Sequence, residues 1–177
     1  AKRSVAAHQA LAKRYEKKGK PYQALYGVIQ GSIYKDLRET SAQFIKTLPT
    51  DGIAIGGVSV GETKQEMKDV LSYVWPHLPE DKPRHHLGVG EIDDIFTLVS
   101  YGMETFDCVQ PTRLARMGRL SVRSAKNHEI DITKKTWEKD TRCVEEGCTC
   151  YTCMHFSRAY LHHLFRVREL LAYRLAT

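Results

Sequence analysis

Three cysteines within six residues, Cys148, Cys150 and Cys153 of the stretch CTCYTC, form the densest chemistry in the chain. Tetrahedral zinc takes Cys or His ligands at about 2.0 to 2.3 Å, and a CxCxxC spacing lets one tight loop aim several thiolates at a common point. Such a grip wants a fourth ligand. Cys143, His155, His162 and His163 all lie within reach in sequence, none at a decisive spacing. The competing reading is a set of buried, reduced thiols. A second candidate is Asp107 in FDCVQPTR, at the end of an apolar run. A carboxylate at the carboxyl end of a parallel strand stands where β/α folds build active sites; taken alone it serves equally as a helix cap or a salt-bridge partner. Arg113 and Arg116 follow at once, with guanidinium groups suited to clamping phosphates or to remaining solvated. Gly56-Gly57 and Gly88-x-Gly90 also end apolar runs, where the missing side chain either admits a flat ligand to the backbone or meets the needs of a turn. Gln30 ends the first run with an amide that donates and accepts, suiting the edge of a nucleobase or a loop.

The elements that must position these residues follow a repeating order. Residues 24–32 read as strand and turn, then 33–48 as a helix with Leu37, Ala42, Ile45 and Leu48 on one face. Residues 51–62 read as a second strand, followed by a helix over 63–75. A third strand after Pro83 leads to a helix over 92–102, and residues 104–111 form a fourth. Strands alternating with helices predict an α/β fold with parallel pairing through right-handed crossovers. Residues 1–19 read as a further helix ahead of the first strand, rich in Lys and Arg. After Leu120 the pattern changes: residues 120–133 alternate like a short antiparallel ribbon, the cysteines follow, and 155–177 reads as one final helix. Beginning inside a helical pattern and without Met, the chain is expected to be part of a longer one.

At 177 residues with 42% hydrophobic and 27% charged composition, the chain is globular in character. No run approaches the roughly 20 apolar residues of a membrane span, and the start lacks the apolar stretch of a signal peptide. A soluble, cytoplasmic protein with no membrane partner is the expectation. Five cysteines without an export signal favour reduced thiols, hence a metal over disulfides. The 27 Lys and Arg against 21 Asp and Glu leave a net charge of +6, which permits a polyanionic partner such as RNA.

Together, GVIQGS, DGIAIGGVSVGE, LGVGEIDDI, FDCVQPTRLAR, CTCYTC and SRAYLHHL occur in an order and spacing that resembles the queuine tRNA-ribosyltransferases, or tRNA-guanine transglycosylases, over essentially the whole chain. The resemblance implies a (β/α)8 TIM barrel with a zinc-binding subdomain. Residues 1–120 would be the second half of the barrel, strands five to eight, and 121–177 the subdomain with its C-terminal helix. It also implies a reaction: exchange of the wobble guanine of a tRNA anticodon for a 7-deazaguanine base. Asp107 matches the nucleophile that attacks C1′ of the ribose and holds the RNA covalently. Gln30 and the backbone of Gly57 match groups that bind the base, and Leu87 an apolar residue that packs on it. Glu62 matches an acid supporting alternative orientations of the peptide beside Val58. Arg113 and Arg116 match residues that hold the anticodon loop.

Cys148, Cys150 and Cys153 match three zinc ligands, and the family's fourth, a histidine, would fall just past Thr177. His162 and His163 then belong to a helix. The family's other catalytic carboxylates would lie upstream of Ala1, so that an isolated fragment is expected to be nearly inactive. Val60 stands where bacterial-type members carry Val, favouring a smaller aminomethyl precursor over complete queuine. His85 and His86 depart from the commoner YLMG pattern at the pocket. Family members are commonly homodimers. The alternative is a non-catalytic, zinc-stapled RNA-binding fragment or subunit, against which the intact FDCVQPTR argues; an archaeal relative acting on the tRNA D-arm finds no RNA-binding extension here.

Overall fold

A computed structural model describes residues 1–58 and 61–177. Val60 therefore lies outside the described residues. Two compact units divide the chain, Ala1–Cys108 and Val109–Thr177.

The first unit runs α1 (Lys2–Glu16), β1 (Tyr26–Ile29), α2 (Lys35–Lys46), β2 (Gly52–Ile55), α3 (Lys64–Val74), β3 (Arg84–Leu87), α4 (Ile92–Ser100) and β4 (Thr105–Asp107). Its four strands form one parallel sheet in the order β1-β2-β3-β4, as the alternation of strands and helices predicts. One register row, Ile29, Ile55, His86 and Phe106, faces the helical layer. Against it pack Ala42 and Ile45 of α2, Met67, Val70, Leu71 and Val74 of α3, and Leu98 of α4. Each fully buried Ile or Leu contributes about 2 kcal/mol by leaving water. α3 begins at a reciprocal cap: Glu66 donates its backbone N–H to Thr63 Oγ1 at 3.2 Å, and its carboxylate accepts the Thr63 N–H at 2.7 Å.

On α2 the buried face differs from the expected one. Leu37 is exposed, and Arg38 takes its place inside with Ala42 and Ile45. The reason is polar: the guanidinium satisfies backbone carbonyls at the strand ends, as described below.

The second unit comprises α5 (Gln110–Arg116), β5 (Arg119–Ser121), β6 (Glu129–Asp131), α6 (Tyr151–His155), α7 (Arg158–Arg166) and α8 (Leu170–Ala176). β5 and β6 pair antiparallel, Leu120 opposite Ile130, so the ribbon expected over 120–133 is present. α5 belongs to this unit because Ala115 is buried in one core with Leu120, Ile132, Leu161 and Ala172. The single helix expected over 155–177 is two, α7 and α8, with His155 belonging to the end of α6. α7 stops at Arg166, and Arg168 takes a left-handed φ of 57°. The Arg168 and Glu169 N–H groups turn back to the carbonyls of Phe165 and Leu164 at 3.2 and 2.9 Å, closing one helix before α8 starts.

Candidate functional site

In the first unit the carboxyl ends of the strands bring several predicted residues together. Leu87 and Asp107 are register partners at the ends of β3 and β4, while Gln30 and Gly56 directly follow β1 and β2. Side chains two apart share a face, so this row continues the face of His85 and Thr105, opposite the helical layer. Gly56 is forced by close approach: a Cβ there would stand 2.8 Å from Gln30 Nε2 and 3.1 Å from a Leu87 methyl. At Gly57, with φ +69°, a Cβ would stand 2.6 Å from Gln30 Oε1. The Gln30 amide thus lies across the Gly56-Gly57 backbone at the strand ends. Val58 is buried beside them.

The Gly-Gly backbone is held from behind by Arg38, which is 0% exposed. Its guanidinium donates to the carbonyls of Gly56 at 2.7 Å, Gly57 at 2.8 Å, Ile29 at 3.3 Å and Ser32 at 2.5 Å. Burial lowers its pKa, and the charge of half-buried Glu62 opposes that shift. Arg38 was not singled out among the sequence candidates. Its signal was a basic residue at the helical spacing of Ala42 and Ile45.

Asp107 ends β4 with its side chain 60% exposed. Its Oδ1 lies 3.0 Å from His85 Nε2 and accepts the Gly88 N–H at 3.3 Å. His85 Nδ1 lies 2.9 Å from Thr105 Oγ1. The next strand residue, His86, points the opposite way into the core, where neither ring nitrogen has a partner among the described residues. Burial pushes its pKa down to about 4. Arg113 and Arg116 are exposed and lie on α5 of the second unit.

In that second unit the cysteine sulfurs of Cys148, Cys150 and Cys153 all lie within 4.8 Å of one another. Cys150 caps α6, its Sγ accepting the Cys153 N–H at 3.4 Å; this bond lowers the Cys150 pKa, whereas burial pushes the Cys153 thiol up to about 12. Three thiolates this close repel one another unless a cation neutralises them, and soft sulfur donors in this arrangement suit zinc. Among the described residues no other His, Cys, Asp or Glu joins this group. Cys143 donates its S–H to the Glu145 carbonyl at 3.3 Å, His155 Nδ1 lies 2.9 Å from the Tyr151 carbonyl, and buried His162 is 2.8 Å from the Ile132 carbonyl. A cavity of about 270 Å³ borders the three cysteines and is also lined by Leu175, Ala176 and Thr177.

The segment carrying the cysteines is anchored by Asp140. Its carboxylate takes Arg142 bidentately, at 2.9 and 2.7 Å, and Arg158 at 3.2 Å. Those donors, Arg142 first, hold it well below the usual carboxylate range. Arg158 also donates to the Val144 carbonyl at 2.8 Å and stacks over Trp137.

The parallel β/α unit gathers an amide, a diglycine backbone and a carboxylate at its strand ends, where open β/α sheets bind ligands. The family model described as "Queuine tRNA-ribosyltransferase" matches residues 1–177, and the chain belongs to that family. Three relatives bear the same description. The protein of Methylobacillus flagellatus is 48% identical over 177 residues, all of this chain and 44% of its own length. That of Thiobacillus denitrificans is 48% identical over 154 residues, 87% of this chain and 41% of its own. The Roseiflexus sp. protein is 46% identical over 158 residues, 89% and 39%. The chain thus spans roughly two fifths of the length of the curated relatives it matches.

Proposed function

We propose that the full-length protein is a tRNA-guanine transglycosylase that exchanges the anticodon wobble guanine for a 7-deazaguanine base through a covalent aspartyl-ribose intermediate on Asp107. The observation that carries this reading is the shared row of Gln30, Gly56, Leu87 and Asp107 at the strand ends of a chain that matches the family throughout.

Once the target base has left its stack, Gln30 and the Gly57 backbone read its polar edge and Leu87 packs on its face. The peptide beside Val58, with Glu62 behind it, adapts to the different bases. Asp107 displaces guanine from C1′; the incoming base then displaces Asp107. Two displacements through oxocarbenium-like states retain the anomeric configuration, the strategy of retaining glycosidases. Arg113 and Arg116 supply guanidinium groups for the anticodon-loop phosphates. The sheet is read as strands five to eight of a TIM barrel, and residues 121–177 as its zinc-binding subdomain. Cys148, Cys150 and Cys153 would hold zinc, which supplies a structural crosslink there. A fourth ligand just past Thr177 in the full-length protein would fall at the cavity that Thr177 and the cysteines share. A cytoplasmic homodimer completes the reading.

The test is incubation of the full-length protein with labelled guanine and tRNA. Wild type incorporates label and Asp107→Ala does not. Incorporation that survives Asp107→Ala removes the nucleophile, and tRNA binding without exchange in wild type favours a non-catalytic RNA-binding subunit.

A further inference from the structure

The contacts of the Asp107 carboxylate are unequal. Both the ring nitrogen of His85, at 3.0 Å, and the Gly88 N–H, at 3.3 Å, meet Oδ1. His85 is fixed in turn: its Nδ1 is 2.9 Å from Thr105 Oγ1, and the Tyr26 ring approaches it edge-on with centroids 6.4 Å apart. Thr105 and Asp107 alternate on β4 exactly one strand over from His85 and Leu87, so the sheet register itself brings the three side chains together. With Thr105 donating its O–H to Nδ1, the imidazole carries its proton on Nε2 and donates to Asp107.

We propose that His85 is a positioning residue for the nucleophile: with Gly88 it pins Oδ1 and thereby assigns the attack to Oδ2. This rests on the reading of Asp107 given above. Oδ2 donates a lone pair to C1′ of the ribose while the C1′–N9 bond breaks. The bonding pair leaves with guanine, which takes a proton from a carboxylic acid of the full-length protein or from water. In the ester so formed Oδ1 is the carbonyl oxygen and keeps its two donors. The incoming base then attacks C1′ through N9, gives its proton back to the same group, and returns the electron pair to Oδ2. Holding one oxygen fixes the plane of the carboxylate, so the free oxygen meets C1′ in line, and orientation of this kind governs rate more than binding.

The experiment uses full-length protein and tRNA under single-turnover conditions, reading the covalent adduct on denaturing gels and tRNA affinity by filter binding. His85→Phe is expected to slow adduct formation by roughly 10- to 100-fold while tRNA affinity stays within about twofold. His85→Gln, whose amide nitrogen reaches the Nε2 position, is expected to recover most of that rate. A wild-type adduct rate in His85→Phe overturns the proposal, as does His85→Gln reacting no faster than His85→Phe. If wild type forms no adduct, as in the Asp107→Ala control, the nucleophile assignment fails and this inference with it; an adduct in wild type that is indifferent to His85 overturns the positioning role alone.

Discussion

At the residue scale, adjacent histidines on β3 have opposite fates. His85 faces the strand-end row and Asp107, while His86 is buried in the core row with Ile29, Ile55 and Phe106. Because burial holds the folded His86 pKa at about 4, the unfolded chain binds the proton more readily. Stability is therefore fully present above the unfolded value near 6.5 and is lost as pH falls from there towards 4. His86→Leu removes two unpartnered buried nitrogens as well as this proton uptake. We expect it to stabilise the full-length protein at pH 7.5, and by about 2 kcal/mol more at pH 5. Thermal melting at the two pH values checks this; an equal shift at both would exclude His86 as the titrating group.

At the scale of elements, Arg38 shows how a helix builds a loop. One buried guanidinium on α2 satisfies carbonyls of Ile29, Gly56 and Gly57, tying the ends of β1 and β2. Arg38→Met takes this donor from the Gly56 and Gly57 carbonyls, at a cost of roughly 1 to 3 kcal/mol for each group left buried and unpaired, while the Ile29 carbonyl keeps the Gly56 N–H at 3.1 Å. We expect faster amide hydrogen exchange concentrated at residues 29–32 and 56–58, with base affinity falling along with it; protection unchanged there would refute the tie. The order of strands and helices was legible in the sequence because apolar runs and turn residues report local geometry directly. The strand-end places of Gln30, Gly56, Leu87 and Asp107 were legible for the same reason; the roles proposed for them come from the motifs. Arg38 was not, since its burial depends on carbonyls brought near by strand pairing, and the pattern alone put Leu37 on the inner face. The break after α7 was equally hidden: Arg168 adopts a conformation usually marked by Gly, and no Gly or Pro stands there. The helix of Arg113 and Arg116 was missed because FDCVQP read as continuing strand.

At the scale of the whole molecule, the second unit has a small apolar core and a polar crosslink at Asp140, to which the zinc proposed at its cysteines would add a second. Structural zinc contributes folding free energy outright. Metal analysis of the full-length protein is expected to find one zinc per chain, and Cys153→Ser to lose it with a marked fall in melting temperature. Carefully purified protein free of zinc would reject the site. In the first unit, β1 and β4 each pair with a single neighbour among the described residues. Both margins of the sheet thus present rows of backbone donors and acceptors, and such margins are adhesive. In the proposed barrel, strands laid along those margins would decide whether the strand-end row stays a private cavity or becomes a seam for strangers.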